Sequence, residues 1–238
     1  MNPDEYDAMA AVEERHWWFR GRLAVVRAFL RRFVPPGRGL DCSCGTGMTL
    51  SRLAPWVQVG ADLEPLALRH TRARNHPSLL RADLTRLPVQ PQAFDVLTCL
   101  DTLEHIPDDD AALREIQRVL KPGGYALIPV PAHPWMFSAH DRALHHVRRY
   151  RRAELRDKVR AAGLELRKLR YINTALFPLV AAVRLLRGDK GETRSDTTGV
   201  PPGPVNAALY AAFAAESALL TWLPAPWGVS LLALARRP

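Results

Sequence analysis

Hydrophobic positions recur at helical spacing between residues 4 and 33. Phe19, Leu23, Val26, Leu30 and Phe33 stand four, three, four and three residues apart, which lines one face of a helix. Pro35, Pro36 and Gly37 end that pattern. Short apolar runs then alternate with amphipathic stretches. Residues 39–44, 57–62, 79–83, 94–101 and 125–131 read as strands, and 48–56, 64–74 and 108–120 as helices between them. Asp108, Asp109 and Asp110 suit the positive end of the last of these helices, and Lys121-Pro122-Gly123-Gly124 closes it. A further helix over 152–162 stops at Gly163, and 164–173 and 229–237 read as two final strands. Between those strands lie apolar helical stretches at 174–187 and 205–223, joined by a Gly-, Pro-, Asp- and Thr-rich segment that reads as a mobile loop. Strands alternating with helices imply an α/β, doubly wound, mostly parallel sheet covered on both faces. The expected organisation is a helical cap (1–37), a core (38–173), a helical lid insertion (174–227) and a last core strand (228–238).

Composition narrows the class. At 238 residues and 47% hydrophobic, the chain is sized for one full domain and is too apolar for disorder. It has no run of 18 uncharged apolar residues, so no transmembrane span is expected. Its acidic beginning, MNPDEYDAMA, is unlike a secretory signal, and the expectation is a cytoplasmic protein. Cys42, Cys44 and Cys99 make neither a disulfide framework nor a four-ligand zinc site. The net charge of +9 comes from 29 Arg and 4 Lys spread along the chain, with a local crowd at Arg148, Arg149, Arg151 and Arg152. An even spread is a solvated surface rather than a nucleic-acid stripe. It leaves room for an anionic small ligand or for peripheral contact with membrane lipid.

The chemistry begins at Leu40-Asp41-Cys42-Ser43-Cys44-Gly45-Thr46-Gly47. Glycines after a strand let the backbone approach a ligand closely. Leu50 stands where a nicotinamide-binding loop needs a small residue, and the Gly-Lys-Ser/Thr of a phosphate loop is absent. Asp62 ends the second strand, where a carboxylate can hold two ribose hydroxyls. Asp83, followed by Leu84, ends the third and is placed to accept from an adenine amino group. Glycine turn, ribose acid and adenine acid at successive strand ends describe an adenosine pocket.

Residues 40–47 resemble the LDxGxGxG segment of class I S-adenosylmethionine-dependent methyltransferases. Val59-Gly60-Ala61-Asp62-Leu63-Glu64-Pro65 resembles their ribose-binding segment, and Ala82-Asp83-Leu84 with Leu87-Pro88 their adenine side. Phe94-Asp95-Val96-Leu97, Leu103-Glu104-His105-Ile106 and Leu120-Lys121-Pro122-Gly123-Gly124 resemble the segments that follow. Glu14-Arg15-His16-Trp17-Trp18-Phe19, Val130-Pro131-Ala132-His133-Pro134-Trp135, His140-Asp141 and His146-Val147-Arg148-Arg149-Tyr150 resemble a bacterial branch associated with glycan, lipid-linked or secondary-metabolite pathways. The resemblance implies a Rossmann-like, seven-stranded sheet with its last strand antiparallel. It implies S-adenosylmethionine as cofactor and S-adenosylhomocysteine as product. It assigns the cofactor to Asp41, Ser43, Cys44, Gly45, Gly47, Asp62, Leu63, Asp83 and Leu84, with Asp101 facing the ammonium group. Ser43 departs from the pattern, standing where the family has its first glycine.

On the acceptor side, five of eight histidines fall between His105 and His146. His133, His140 and His146 follow the fifth strand, and imidazole titrates near neutrality, which suits proton removal. With Asp141 they are the candidate catalytic groups. Trp18, Arg22, His105, Arg149 and Tyr150 are candidate acceptor contacts, and Arg148, Arg149 and Tyr150 form a candidate anion grip. The histidine spacings are not diagnostic of a metal, and none is expected. The reading is transfer of a methyl group to an O, N or C nucleophile of a small molecule, anionic or hydrophobic. A cyclase, isomerase or decarboxylase that binds the same cofactor without transfer is the alternative. No Asn/Asp-Pro-Pro-aromatic turn follows the fourth strand, so nucleic acid is not expected as acceptor. The apolar inserted helices leave open a greasy acceptor, a homodimer contact or a membrane surface.

Overall fold

The computed structural model describes residues 3–187 and 199–238. Most of the segment read as a mobile loop lies outside them. Seven strands form one sheet in the order β3-β2-β1-β4-β5-β7-β6. They are β1 (Gly39–Cys42), β2 (Val59–Asp62), β3 (Leu79–Arg81), β4 (Phe94–Cys99), β5 (Leu120–Pro131), β6 (Glu165–Ile172) and β7 (Ser230–Arg236). The first five pair in parallel; β7 inserts antiparallel between β5 and β6. Residues 231–235 of β7 are all buried, as a strand covered on both faces requires.

Helices cover both faces. On one, Leu113, Ile116 and Val119 of α5 (Asp109–Val119) pack with Leu155 and Val159 of α7 (Arg152–Ala161). On the other, Val26, Phe29 and Leu30 of α2 (Trp17–Phe33) pack with Leu50 of α3 (Met48–Arg52) and Phe213 and Leu220 of α9 (Gly203–Trp222). The remaining helices are α1 (Pro3–Val12), α4 (Pro65–Ala73), α6 (Ala139–Ala143) and α8 (Phe177–Arg187). The Asp108 carboxylate accepts from the Ala111 N–H (2.9 Å) and caps α5.

Several boundaries differ from the sequence reading. The single helix expected over 4–33 is two. His16 breaks it, its Nδ1 accepting from the Trp18 N–H (3.2 Å) and capping α2. The helix expected over 48–56 ends at Arg52. β5 begins at Leu120 rather than after the glycines, because Gly123 takes φ +82° and the strand carries an irregularity opposite β4. All three cysteines are free and buried. No helix among the described residues is long and apolar enough to cross a membrane.

Candidate active site

The strands β1 to β6 deliver their carboxyl ends to one edge, and a cleft of about 510 Å³ lies along it. Its floor starts at the turn after β1. Ser43, Gly45 and Gly47 take φ of +60°, +55° and +88°, a conformation costly for any residue with a Cβ. The turn is pinned by the Cys44 N–H on Ala61 O (2.9 Å) and the Gly47 N–H on Cys44 O (3.0 Å). Gly47 packs so tightly that a Cβ there would lie 2.9 Å from Thr71 Cγ2.

Asp62 is buried at the end of β2, and its two oxygens accept from the Gly45 N–H (2.9 Å) and the Glu64 N–H (3.0 Å). Burial raises its pKa against these hydrogen bonds. Asp83 Oδ1 takes the Thr85 N–H and hydroxyl, each at 2.8 Å, which aims the carboxylate from β3. The roof comes from the N-terminal helices. Glu13, just after α1, accepts from Thr46 Oγ1 (2.5 Å) and Arg74 (2.7 Å), tying the cap to the glycine turn and α4. Burial raises the Glu13 pKa despite both partners.

The other end of the cleft is built by the loops after β4 and β5. Asp101, at φ +49°, is paired with Arg22, which lies 4.8 Å from the Trp18 ring. Glu104 is 1% exposed, and neither carboxylate oxygen has a hydrogen-bond partner. Burial, with Asp101 adding to it, pushes its pKa well above the carboxylate range. The rings of His105 and His146 meet edge to face at 4.6 Å. Burial and the neighbouring His146 depress His105 to about 3, so it is neutral at pH 7. His146 Nδ1 lies 3.0 Å from Asp141 Oδ1, which also accepts from Arg149 Nε (2.7 Å). Burial opposes ionisation of Asp141, but His146 and Arg149 outweigh it and hold the carboxyl well below its ordinary range. An ionised Asp141 only accepts, so His146 presents an Nδ1–H to it.

Of the residues singled out from sequence, Trp18, Arg22, Ser43, Cys44, Gly45, Asp62, Leu63, Asp83, Leu84, Asp101, His105, His140, His146 and Arg149 line this one cleft. Five others lie outside its lining. Asp41 is buried beneath the turn, accepting from Thr98 Oγ1 (2.5 Å). Gly47 starts α3. Asp141 sits behind His146. His133 is turned away: it stacks on Tyr171 at 5.3 Å and its Nε2 contacts Gly228 O (3.1 Å). Tyr150 is in the core, donating to Asp109 Oδ2 (2.8 Å). The expected anion grip is therefore not assembled, because Arg149 is spent on Asp141 and on Ala132 O (3.2 Å), and Arg148 on Asp109 (2.9 Å). Glu104, Glu13 and His16 also line the cleft and were not singled out. Glu104 lies in the turn after β4, between Leu103 and His105, where nothing in the local sequence marks it.

Comparison with known proteins agrees with this layout. Residues 40–128 match the methyltransferase domain family. A ubiquinone biosynthesis O-methyltransferase of Xanthomonas campestris is 34% identical over 140 residues, 50% of this chain and 57% of the relative. A demethylmenaquinone methyltransferase of Streptomyces avermitilis is 32% identical over 134 residues, 54% of each chain. The chain thus spans little more than half the length of these relatives. A methyltransferase structure from Thermotoga maritima superposes with a TM-score of 0.62 at 17% identity, covering 99% of this chain and 96% of its own, which shows a shared fold. The glycine turn, Asp62 at the end of β2 and Asp83 just after β3 all fall within the stretch that matches the methyltransferase domain family.

Proposed function

We propose that the protein moves the methyl group of S-adenosylmethionine to a hydroxylated small molecule with an apolar body. One observation carries this reading: a single cleft runs from Ser43, Asp62 and Asp83 to a histidine-lined end, under a roof of aromatic side chains. The cofactor residues fit. Asp62 is held by two backbone N–H groups and still faces the cleft, and the positive-φ turn brings backbone close to a ligand. When bound, the cofactor supplies an electrophilic methyl group on a sulfonium.

This chain's residues do the rest. Asp62 and Asp83 orient the nucleoside end, and the Arg22–Asp101 pair closes the middle of the cleft beside Trp18. Trp17, Trp18, Phe19 and Val180 exclude water from the acceptor end. The acceptor's proton leaves among His140, His105 and His146, the imidazoles that line that end. The names of the two quinone-pathway relatives support a small, apolar, oxygenated acceptor.

Calorimetric titration of the purified protein with S-adenosylmethionine and S-adenosylhomocysteine tests the reading. Micromolar binding, about −8 kcal/mol, is expected, with loss in Asp62→Ala. Failure of the native protein to bind either ligand would overturn it. Release of S-adenosylhomocysteine with a methylated product separates transfer from a non-methylating reaction.

A further inference from the structure

The acceptor end contains a carboxyl group that the cofactor reading leaves without a task. Glu104 is 1% exposed, both its oxygens lack partners, and it faces the cleft. Leaving a carboxyl in that state costs free energy on folding, so a partner from outside the chain is the natural complement. Two imidazoles stand beside it. One ring nitrogen of His105, one of His146 and a carboxylate oxygen of Glu104 all lie within 4.8 Å of one another. We propose that Glu104, His105 and His146 bind one divalent first-row transition ion in the acceptor end of the cleft.

The surroundings are those of a metal site. Each imidazole is oriented from behind, as ligating histidines are. Asp141 accepts from His146 Nδ1 (3.0 Å) and is itself fixed by Arg149 Nε (2.7 Å) and the Ser138 N–H (2.9 Å). The backbone of His145 serves His105 in the same way. The Arg149 charge is neutralised by Asp141, so the ligands do not face a bare cation. The two contributing loops are stitched together by the Val147 N–H on Glu104 O (2.8 Å) and Arg148 on Pro107 O (2.7 Å). Ligand atoms on one ion sit roughly 3–4 Å apart when bonds are near 2.1 Å. Small side-chain rotations close the present spacing.

Donor chemistry selects the ion. Two neutral imidazoles and one carboxylate suit zinc, iron, cobalt or manganese, whereas magnesium and calcium prefer oxygen throughout. Three protein ligands leave coordination positions open toward the cleft. On the proposed methyltransferase reading, those positions take the acceptor's hydroxyl oxygen. The O–H bond breaks, its proton passes to His140, and the oxyanion stays on the ion as the nucleophile. His146 is then a ligand rather than the base.

Metal binding is testable without cofactor, so its failure is separable from failure of the methyltransferase reading. Untagged full-length protein, stripped with chelator, is titrated with Zn²⁺ by calorimetry and with Co²⁺ by visible absorption. The expected result is one equivalent bound at micromolar affinity or tighter, no heat with Mg²⁺, and at least a hundredfold weakening in Glu104→Gln and in His146→Gln. His140→Gln should keep the affinity. Circular dichroism and melting establish that the variants fold. If they do not, the native Co²⁺ spectrum decides, since nitrogen and oxygen ligation gives no thiolate charge-transfer band. Absence of stoichiometric binding, a thiolate band, or affinity unchanged in folded variants would each overturn the site.

Discussion

Four non-glycine residues with left-handed backbone, Ser43, Asp101, His133 and Asn173, closely follow the carboxyl ends of β1, β4, β5 and β6. Conformations that cost about 1–3 kcal/mol each are thus concentrated on the edge that carries the cleft. At Ser43 a glycine would remove that cost, less the entropy it gives the unfolded chain. Ser43→Gly should therefore be neutral or stabilising by up to about 1 kcal/mol, measured by urea denaturation. Gly47→Ala should have the opposite sign, losing about 2 kcal/mol or more, because φ is +88° and Thr71 fills the Cβ position. Asp41 adds a pH dependence. Burial lifts its pKa from 3.8 to about 7, so between those values the folded protein holds a proton that the unfolded chain releases. Its contribution to stability is full below pH 3.8 and falls as pH rises toward 7. Asp41→Asn keeps an acceptor for Thr98 and abolishes the titration. Its melting temperature relative to the native protein should be higher at pH 8 than at pH 5. At this scale the strand-end acids Asp62 and Asp83 were legible, since a carboxylate after an apolar run announces itself. Glu104 was not, because His146, which meets it in the cleft, lies 42 residues further along the chain.

Among the elements, periodicity revealed order and type better than ends. The apolar rhythm of residues 4–33 runs through the break between α1 and α2. What stops the helix is tertiary: Glu13 reaches Thr46 and Arg74, and His16 caps the next helix. The pairing of α2 with α9 was equally hidden, for its key is a glycine that sequence alone marks as a weak helix former. A Cβ on Gly21 would fall 2.3 Å from Phe213 Cδ1 and 2.9 Å from its Cβ. Gly→Ala in a helix normally stabilises by about 1 kcal/mol. Here Gly21→Ala should destabilise, by about 2 kcal/mol. Hydrogen exchange should show α9 losing protection before the sheet does, as the contact is confined to that helix pair.

Across the whole molecule, the cleft joins residues from the N-terminal helices, from the loops after six strands and from the inserted α8. Glu216 of α9 fixes the approach to α8, accepting from the Thr174 N–H (2.7 Å) and the Ala175 N–H (3.3 Å). The nucleoside half was readable because each of its groups sits at a strand end in simple order. The acceptor half was not, because it depends on which loop folds over which. The position of β7 reaches beyond the site. It follows the other six strands in sequence yet lies inside the sheet, between β5 and β6. Until it arrives, β5 shows an open edge and β6 has no strand to pair with. Assembly of that side must wait for contacts between Tyr125 and Arg236, more than a hundred residues apart. Such late, long-range closure slows folding and leaves an unpaired apolar edge exposed to other chains meanwhile. The same strand that completes the sheet therefore sets the interval in which a newly made molecule is most prone to aggregate.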